Sequence, residues 1–334
     1  MKKVLILSIS LLCLFMLTGC GKYGKSEIMK DLNKKIKNTK AYYVEGEMEI
    51  INNEDTYKYN VKVSYKAKDY YKVSLKNQSN NHEQIILKND DGVYVLTPSL
   101  NKSFKFESEW PYNNSQVYLL QSVVNDINND KALSFEEKDD RYVFTTSVNY
   151  PNNRSLVKQM IYFDKKLNLK EIHVINEKGT AEIKMTYKTI DNSPTFSDDY
   201  FALTKNIETS VIDENTKVVT SIDDTIFPMF LPENTKLQAQ DTIAKSDGER
   251  VILTFSGDKP FVLVEETVSI PKELEIIPTI GEPTLLMDTI GSLSTNSVSW
   301  ISNGMEYYVA SEVMSQDELI SVAKSIITIP FYFL

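Results

Sequence analysis

The chain has 334 residues and a formal net charge of -9 at pH 7, from 37 basic and 46 acidic side chains. Binding to nucleic acid needs clustered Lys and Arg against the phosphates, so this acidic balance argues against a nucleic-acid partner. The sequence has only two cysteines, Cys13 and Cys20, which excludes a scaffold held by several disulfides. A large hydrophobic core must therefore stabilise the fold.

The first predicted element is an N-terminal export signal. Lys2 and Lys3 precede an uncharged apolar run over residues 4–17, which has the length of a signal-peptide core and is short for a membrane span. The run closes on four residues that closely resemble a bacterial lipobox: Leu17, Thr18, Gly19 and Cys20. This resemblance implies a lipoprotein signal peptide over residues 1–19. An ordinary cleaved signal peptide and an uncleaved anchor helix are the alternatives.

A lipobox implies a covalent lipid on Cys20. Cys13 would leave with the signal peptide, so the mature chain keeps one thiol, which the diacylglycerol occupies. Two acyl chains give lasting membrane attachment, where one chain would be marginal. We therefore expect residues 20–25 to be a lipidated tether at the membrane, and we expect no cofactor other than this lipid.

Residues 26–203 predict one domain of antiparallel sheet with two helices. Ser26 is placed to cap a first helix, in which apolar residues recur at helical spacing. From Ala41 the period changes to two, and turns rich in Asn, Asp and Gly separate the strand-like segments. The predicted strands cover residues 41–50, 57–65, 70–75, 84–87, 93–96, 103–106, 142–148, 157–163, 169–176 and 180–187.

A second helix is predicted within residues 115–127, which carry an apolar stripe and interrupt the run of strands. Strands at such close spacing form a meander and not crossover units. A sheet this long must curl, and helices on its concave face would cover its apolar interior. The predicted fold class is therefore α+β, with a long curled antiparallel sheet, or half-open barrel, and covering helices.

The C-terminal part predicts a linker and a second, smaller domain. Residues 204–226 are polar and acidic, as in a linker, and residues 227–334 predict a small α+β domain. Ser315 opens its helix with a capping box. Residues 328–334 are apolar but too short to span a bilayer, and they predict an edge strand or a core plug, or a docking peptide if exposed. The strands expected in this domain are residues 251–255, 261–265, 298–301 and 306–309.

Three stretches of the predicted half-barrel carry a resemblance to a known family. They are residues 91–98 (DGVYVLTP), the Trp110-Pro111 pair, and residues 197–201 (SDDYF). With the order of parts, they resemble the periplasmic lipoprotein carriers of the LolA and RseB type and their Gram-positive relatives, which include sporulation and germination lipoproteins. The resemblance covers about residues 26–203. It implies a concave apolar cavity that holds acyl chains or protein partners and catalyses nothing.

Catalytic and metal-binding patterns are lacking in the sequence. The two histidines, His82 and His173, have no metal-ligand spacing, and the chain contains no nucleophile elbow and no phosphate-binding glycine loop. Paired carboxylates can cleave glycosides, but adjacent acids such as Glu265 and Glu266 usually point apart on a strand. We therefore predict no enzyme and no metal site.

The predicted function is that of a non-catalytic binding module for an envelope protein, in sporulation or germination. The lipid anchor would hold it on the extracytoplasmic face of a Gram-positive cell membrane, where tethering raises its local concentration for neighbouring proteins. Two alternatives remain. One is a carrier of lipid or lipopeptide with acyl chains in its cavity, and the other is an extracytoplasmic sensor that regulates a membrane signalling protein.

Overall fold

A computed structural model describes residues 24–52, 55–67, 69–150, 153–208 and 219–326. The predicted signal peptide, the lipobox with Cys20, the middle of the predicted linker and the predicted C-terminal strand or plug lie outside these ranges. The chain divides into two units, residues 1–38 and residues 39–334. Within the described ranges, no helix is both long enough and apolar enough to cross a bilayer.

The first unit contributes helix α1, Lys25–Lys37. Gly24 is its N-cap, with an extended backbone, and the Gly24 N–H donates to the carboxylate of Glu27 at 3.2 Å. The prediction that Ser26 caps this helix is therefore wrong, because Ser26 lies within the first turn. Glu27, placed three residues after the cap, supplies the side chain that closes the turn.

The second unit contains a larger, 12-stranded sheet in the order β15-β6-β5-β4-β3-β2-β1-β11-β10-β9-β8-β7. Strands β1 to β6 and strands β7 to β11 each form an antiparallel meander, and the two meanders join through the pairing of β1 with β11. The sequence predicts all of these strands except β7, and β15 joins the sheet by parallel pairing with β6. The strands are β1 Ala41–Asn52, β2 Asp55–Lys66, β3 Tyr70–Asn77, β4 Glu83–Asn89, β5 Gly92–Thr97, β6 Lys102–Phe106, β7 Ser134–Lys138, β8 Arg141–Ser147, β9 Leu156–Asp164, β10 Leu169–Asn176, β11 Ala181–Asp191 and β15 Glu275–Thr279.

Helix α2, Leu120–Asn129, packs against β8 of this sheet. Its apolar stripe is buried, which covers part of the sheet as the sequence predicts. The helix begins later than predicted, because Ser115 pairs with Asn149 instead of entering a helical turn. The Ser115 N–H donates to the Asn149 carbonyl at 2.9 Å, and the Asn149 N–H donates to the Ser115 Oγ at 3.0 Å. The buried side chains of the stripe are Leu120, Val123, Val124 and Ile127.

A short helix, α3, follows the meander at Leu203–Glu208, inside the predicted linker. With the residues before it, α3 packs on an apolar cluster of β4 and β5 that includes Leu87 and Leu96. Phe201 is only 5% exposed in this cluster. The first residues of the predicted linker are thus part of the packed structure.

The smaller sheet has seven strands in the order β12-β13-β14-β19-β18-β17-β16, all antiparallel. Helix α4, Gln316–Lys324, packs on β18 and β19, and Ser315 caps it with Glu318 in the predicted capping box. The strands are β12 Thr235–Lys245, β13 Gly248–Gly257, β14 Phe261–Thr267, β16 Glu282–Leu286, β17 Thr289–Leu293, β18 Ser297–Ser302 and β19 Met305–Ala310. Two open sheets, antiparallel except for the pairing of β15 with β6, and few helices confirm the predicted fold class.

The connecting segment 219–226 lies against the smaller sheet. Its apolar side chains pack on the core of that sheet. Two carboxylates hold its backbone: the Ile222 N–H donates to Glu249 at 2.8 Å, and the Ile226 N–H donates to both oxygens of Glu265 at 3.0 and 3.2 Å. Residues 219–226 are therefore held on the smaller sheet by packing and by hydrogen bonds.

Candidate functional site

The candidate site is a cavity between the larger and the smaller sheet. Its interior and the open solvent at its mouth together have a volume of about 990 Å³. Apolar cavities of this kind, with a few polar groups in the wall, are typical of ligand sites. Many apolar side chains of its wall come from the two sheets and α4, and others, such as Val117 and Tyr118, come from the segment before α2. Those of the sheets, of α4 and of the turn at Met287 include Met48, Ile50, Leu75, Ile86, Ile183, Leu285, Met287, Ile290 and Ile320.

A buried glutamine joins the two sheets beside the cavity. Gln84 of β4 is 4% exposed, and its side-chain amide pairs with the backbone of Ile290 in β17. The Ile290 N–H donates to the Gln84 Oε1 at 2.5 Å, and the Gln84 Nε2 donates to the Ile290 carbonyl at 3.2 Å. The Thr289 hydroxyl lies 3.0 Å from the same Oε1. The glutamine thus satisfies buried backbone groups that would otherwise lack partners.

Met287 is the second anchor between the sheets. The Tyr59 hydroxyl donates to the Met287 carbonyl at 2.5 Å, and the amide of Asn52 and the hydroxyl of Tyr57 lie 3.7 and 3.9 Å from its sulfur. Burial raises the pKa of Tyr59 well above its ordinary value, so its hydroxyl keeps the proton that it donates. The two sheets are therefore coupled at the residues that line the cavity.

Two charged side chains lie in the cavity wall. Lys324 from the last turn of α4 and Glu182 from β11 both line the cavity and are both half-buried. Burial lowers the pKa of Lys324, while the negative charge of Glu182 acts in the opposite direction. Lys324 and Glu182 make one side of the cavity polar. A polar group of a ligand could bind to them there.

A second connection between the sheets is made by β15, which belongs to the larger sheet but lies in the chain between β14 and β16 of the smaller sheet. Beside the parallel pairing of β15 with β6, the Lys102 ammonium lies 3.5 Å from the Glu275 carboxylate. An apolar cluster of Leu100, Val268 and Ile301 packs next to it. The sheets are therefore connected at a second place, apart from Gln84 and Met287.

The described part of the chain offers no group of three or more His, Cys, Asp or Glu side chains that could hold a metal ion. His82 lies near Asp288, and burial lowers the pKa of His82 and raises that of Asp288. The Ser302 hydroxyl donates to Asp288 at 2.8 Å, so its proton goes to the carboxylate and not to the histidine. This is not the order of contacts that activates a serine nucleophile.

The other candidate groups, His173, Glu265 and Glu266, also have structural and not catalytic contacts. The Nε2 of His173 lies 3.5 Å from Glu171, and burial lowers the pKa of His173. Glu265 is fully buried, whereas its neighbour Glu266 pairs with Arg250 and Lys245 at the surface. The adjacent acids therefore point apart, and they do not form a carboxylate pair.

Trp110, Phe201 and most residues of β5, which carry the resemblance to the carrier family, lie in the core of the larger sheet, whereas residues 197–199 are exposed. Trp110 is 1% exposed and contacts the ring of Tyr71 edge-on, at 5.7 Å between centroids. Residues 92–97 form β5, and Phe201 packs against that strand. These residues shape the sheet and do not line the cavity.

Comparison with known proteins gives a family match and structural similarities. Residues 1–201 match the family model described as sporulation protein YdcC-like. The chain is 36% identical over 328 residues to the sporulation protein YdcC of Bacillus subtilis (strain 168), which covers 97% of this chain and 96% of that protein. The resemblance to sporulation proteins that the sequence predicts is thereby confirmed.

Solved structures show weaker similarity. The complex of Pseudomonas aeruginosa MucA/MucB gives a TM-score of 0.33 at 13% identity, with 89% of this chain and 97% of that chain covered. A LolA superfamily protein from Nitrosomonas europaea gives a TM-score of 0.31 at 10% identity, with 53% of this chain and 98% of that chain covered.

Proposed function

Since the chain belongs to the family of YdcC-like sporulation proteins, we propose that it is a non-catalytic binding module of the envelope of sporulating cells. In this proposal the cavity between the two sheets receives an apolar segment of an envelope protein. The diacylglycerol on Cys20 holds the module on the extracytoplasmic face of a Gram-positive cell membrane.

The cavity is the observation that carries this proposal. Its wall, in which apolar side chains predominate, suits an apolar ligand. Its walls belong to two sheets that Gln84 and Met287 couple directly, so binding needs little rearrangement of the protein. Neither histidine of the described structure lies in a catalytic arrangement, which supports a binding role over an enzymatic one.

The polar groups of the wall favour a protein segment over a bare acyl chain. Lys324 and Glu182 are half-buried, and the side-chain amides of Asn52 and Gln116 also line the cavity. A peptide brings amides and polar side chains that can bond to these groups. An acyl chain would cover them without offering any partner, which costs free energy.

The apolar part of the wall supports a second candidate function, that of an acyl-chain carrier. Met48, Leu75 and Ile86 line the cavity with apolar side chains from three strands of the larger sheet. A carrier would hold lipid in the absence of any protein partner. Bound acyl chains in the purified protein therefore distinguish the two candidates.

Site-specific photo-crosslinking in sporulating cells tests the proposal. A photo-reactive residue replaces Leu285, which lines the cavity, and the matched control replaces Tyr112, which is 60% exposed and outside the cavity wall. Mass spectrometry then identifies the proteins and lipids attached to each. We expect a protein adduct at position 285 that is absent at position 112. Lipid adducts alone at position 285 would favour the carrier, and the same adducts at both positions would refute a cavity-specific partner.

A separate experiment tests the anchor. Radiolabelled palmitate should enter the wild-type chain and not the Cys20→Ala variant, because the thiol of Cys20 is the predicted acyl acceptor. Equal labelling of both chains would contradict the anchor and leave the test of the cavity unaffected.

A further inference from the structure

An ammonium group in the cavity wall has no direct counter-ion. Of the described residues that line the cavity, only Lys324 is a cation and only Glu182 is an acid. Within the described part of the chain, the Lys324 ammonium has neither a hydrogen-bond acceptor nor an ion-pair partner. The Glu182 carboxylate instead accepts a hydrogen bond from the side-chain amide of Asn176 at 2.8 Å. The wall therefore presents a positive charge with which no described carboxylate pairs.

The surroundings of Lys324 act on its charge from a distance. Burial lowers the pKa of Lys324, and the negative charge of Glu182 opposes this effect. Lys324 also ends α4, and the carbonyl end of a helix carries a partial negative charge that favours the ammonium form. A half-buried charge without a direct partner costs free energy, which a bound anion would offset.

A carboxylate is the group that satisfies this ammonium best. The other polar side chains of the wall, such as the amides of Asn52, Gln116 and Asn153, are neutral and do not balance a charge. Hydrogen bonds between an ammonium and a carboxylate are shorter and stronger than those between neutral groups. Because the same amides can bond to a peptide, an acidic residue of a protein segment fits the wall better than a fatty acid does.

We infer that Lys324 determines the specificity of the cavity, by pairing with the carboxylate of an Asp or Glu side chain in the bound protein segment. This role rests on the proposed function, because it names the chemistry of the segment that the cavity receives. Glu182 lies in the same wall and repels a carboxylate. The two charges together place the acidic residue of the segment toward Lys324 and away from Glu182.

Binding of two matched peptides to the full chain tests this role. The peptides are acetyl-LLDLL-amide and acetyl-LLNLL-amide, which differ only in a carboxylate and a neutral amide of similar shape. We expect the wild-type chain to bind the Asp peptide about tenfold more tightly than the Asn peptide. Lys324→Met should abolish this preference and leave binding of the Asn peptide unchanged. Lys236→Met, at an exposed position outside the cavity wall, is the control and should keep the preference.

Glu182→Gln should have the opposite effect. It removes the repelling charge and should strengthen binding of the Asp peptide several-fold, so weaker binding of that peptide would overturn the inference. Equal affinities of the two peptides for the wild-type chain, or a preference that survives Lys324→Met, would also overturn it. A preference for decanoate over decanamide without one between the peptides would place a fatty acid at Lys324, which contradicts an acidic protein segment.

Photo-crosslinking in sporulating cells separates a failure of this role from a failure of the proposed function. With the photo-reactive residue at position 285, Lys324→Met should reduce the yield of the protein adduct several-fold relative to Lys236→Met. A full yield with Lys324→Met would overturn the role of Lys324 and leave the proposed function intact. The absence of any protein adduct without these substitutions would refute the proposed function and, with it, the role of Lys324.

Discussion

Replacement of Gln84 by Ala should uncouple the two sheets. The side-chain amide of Gln84 bonds both the N–H and the carbonyl of Ile290, and all three groups are buried. Gln84→Ala leaves two backbone groups without partners, at about 1–3 kcal/mol each. We therefore expect the free energy of unfolding to fall by about 2–5 kcal/mol.

Denaturant unfolding followed by tryptophan fluorescence measures the free energy of unfolding separately for each sheet. The chain has two tryptophans, and one lies with each sheet: Trp110 packs on Tyr71 of the larger sheet, and Trp300 lies in β18 of the smaller sheet. Trp110→Phe and Trp300→Phe backgrounds then report one sheet each. Because the contact joins the sheets, Gln84→Ala should lower the transition midpoint in both backgrounds.

Gln78→Ala is the matched control. Gln78 belongs to the same meander and its amide also makes two hydrogen bonds, to Asn60 and Glu47, but it is exposed. Water replaces those partners, so we expect a change below about 0.5 kcal/mol. A Gln84→Ala change no larger than that of Gln78→Ala would refute the coupling of the sheets through Gln84.

Three further predictions concern Glu265, Ser315 and Arg154. Burial raises the pKa of Glu265 to about 7 from 4.5, so the native state holds a proton that the unfolded chain releases between these pH values. The free energy of unfolding should fall by about 3 kcal/mol as the pH rises through this window, and Glu265→Gln should remove that slope in denaturant titrations from pH 4 to 8. Ser315→Ala should lower the melting temperature through loss of about 1 kcal/mol of capping, whereas Ser321→Ala, an exposed position of the same helix, should not. Arg154→Ala should change the unfolding free energy by less than about 0.5 kcal/mol, because its ion pair with Asp317 is exposed; a loss above 1 kcal/mol would contradict this.

The sequence predicts the meander well, because its strands alternate and its turns contain Asn, Asp and Gly. The sequence misses β7, β12, β15, β16 and β17, and three of these lack the pattern for physical reasons. Every residue of β12 between its two end residues is exposed. Buried and exposed positions therefore do not alternate along this strand. β17 is buried throughout, and β15 contains Pro278 and is stabilised by pairing with a strand more than 150 residues earlier in the chain. Such pairing is not encoded in local periodicity.

The candidate site is predictable in kind but not in position. A concave apolar cavity follows from the resemblance to the carrier family, but its wall combines residues from β1 with residues of β17 and α4. Gln84 is the one polar residue in the apolar run 84–87, which is a weak signal that it bonds across an interface. The partner of that bond, the backbone of Ile290, has no side-chain signature, so the sequence cannot indicate it.

The most direct test of the proposed function fills the cavity with a large side chain of the protein itself, which would exclude a bound partner. Ile183→Trp places a large ring on the cavity wall, and Val313→Trp places the same ring at a 51% exposed position outside it. Each is combined with the photo-reactive residue at position 285 in sporulating cells. A partner that binds in the cavity predicts loss of the protein adduct with Ile183→Trp and its retention with Val313→Trp. An adduct that survives Ile183→Trp in a folded chain would contradict the account.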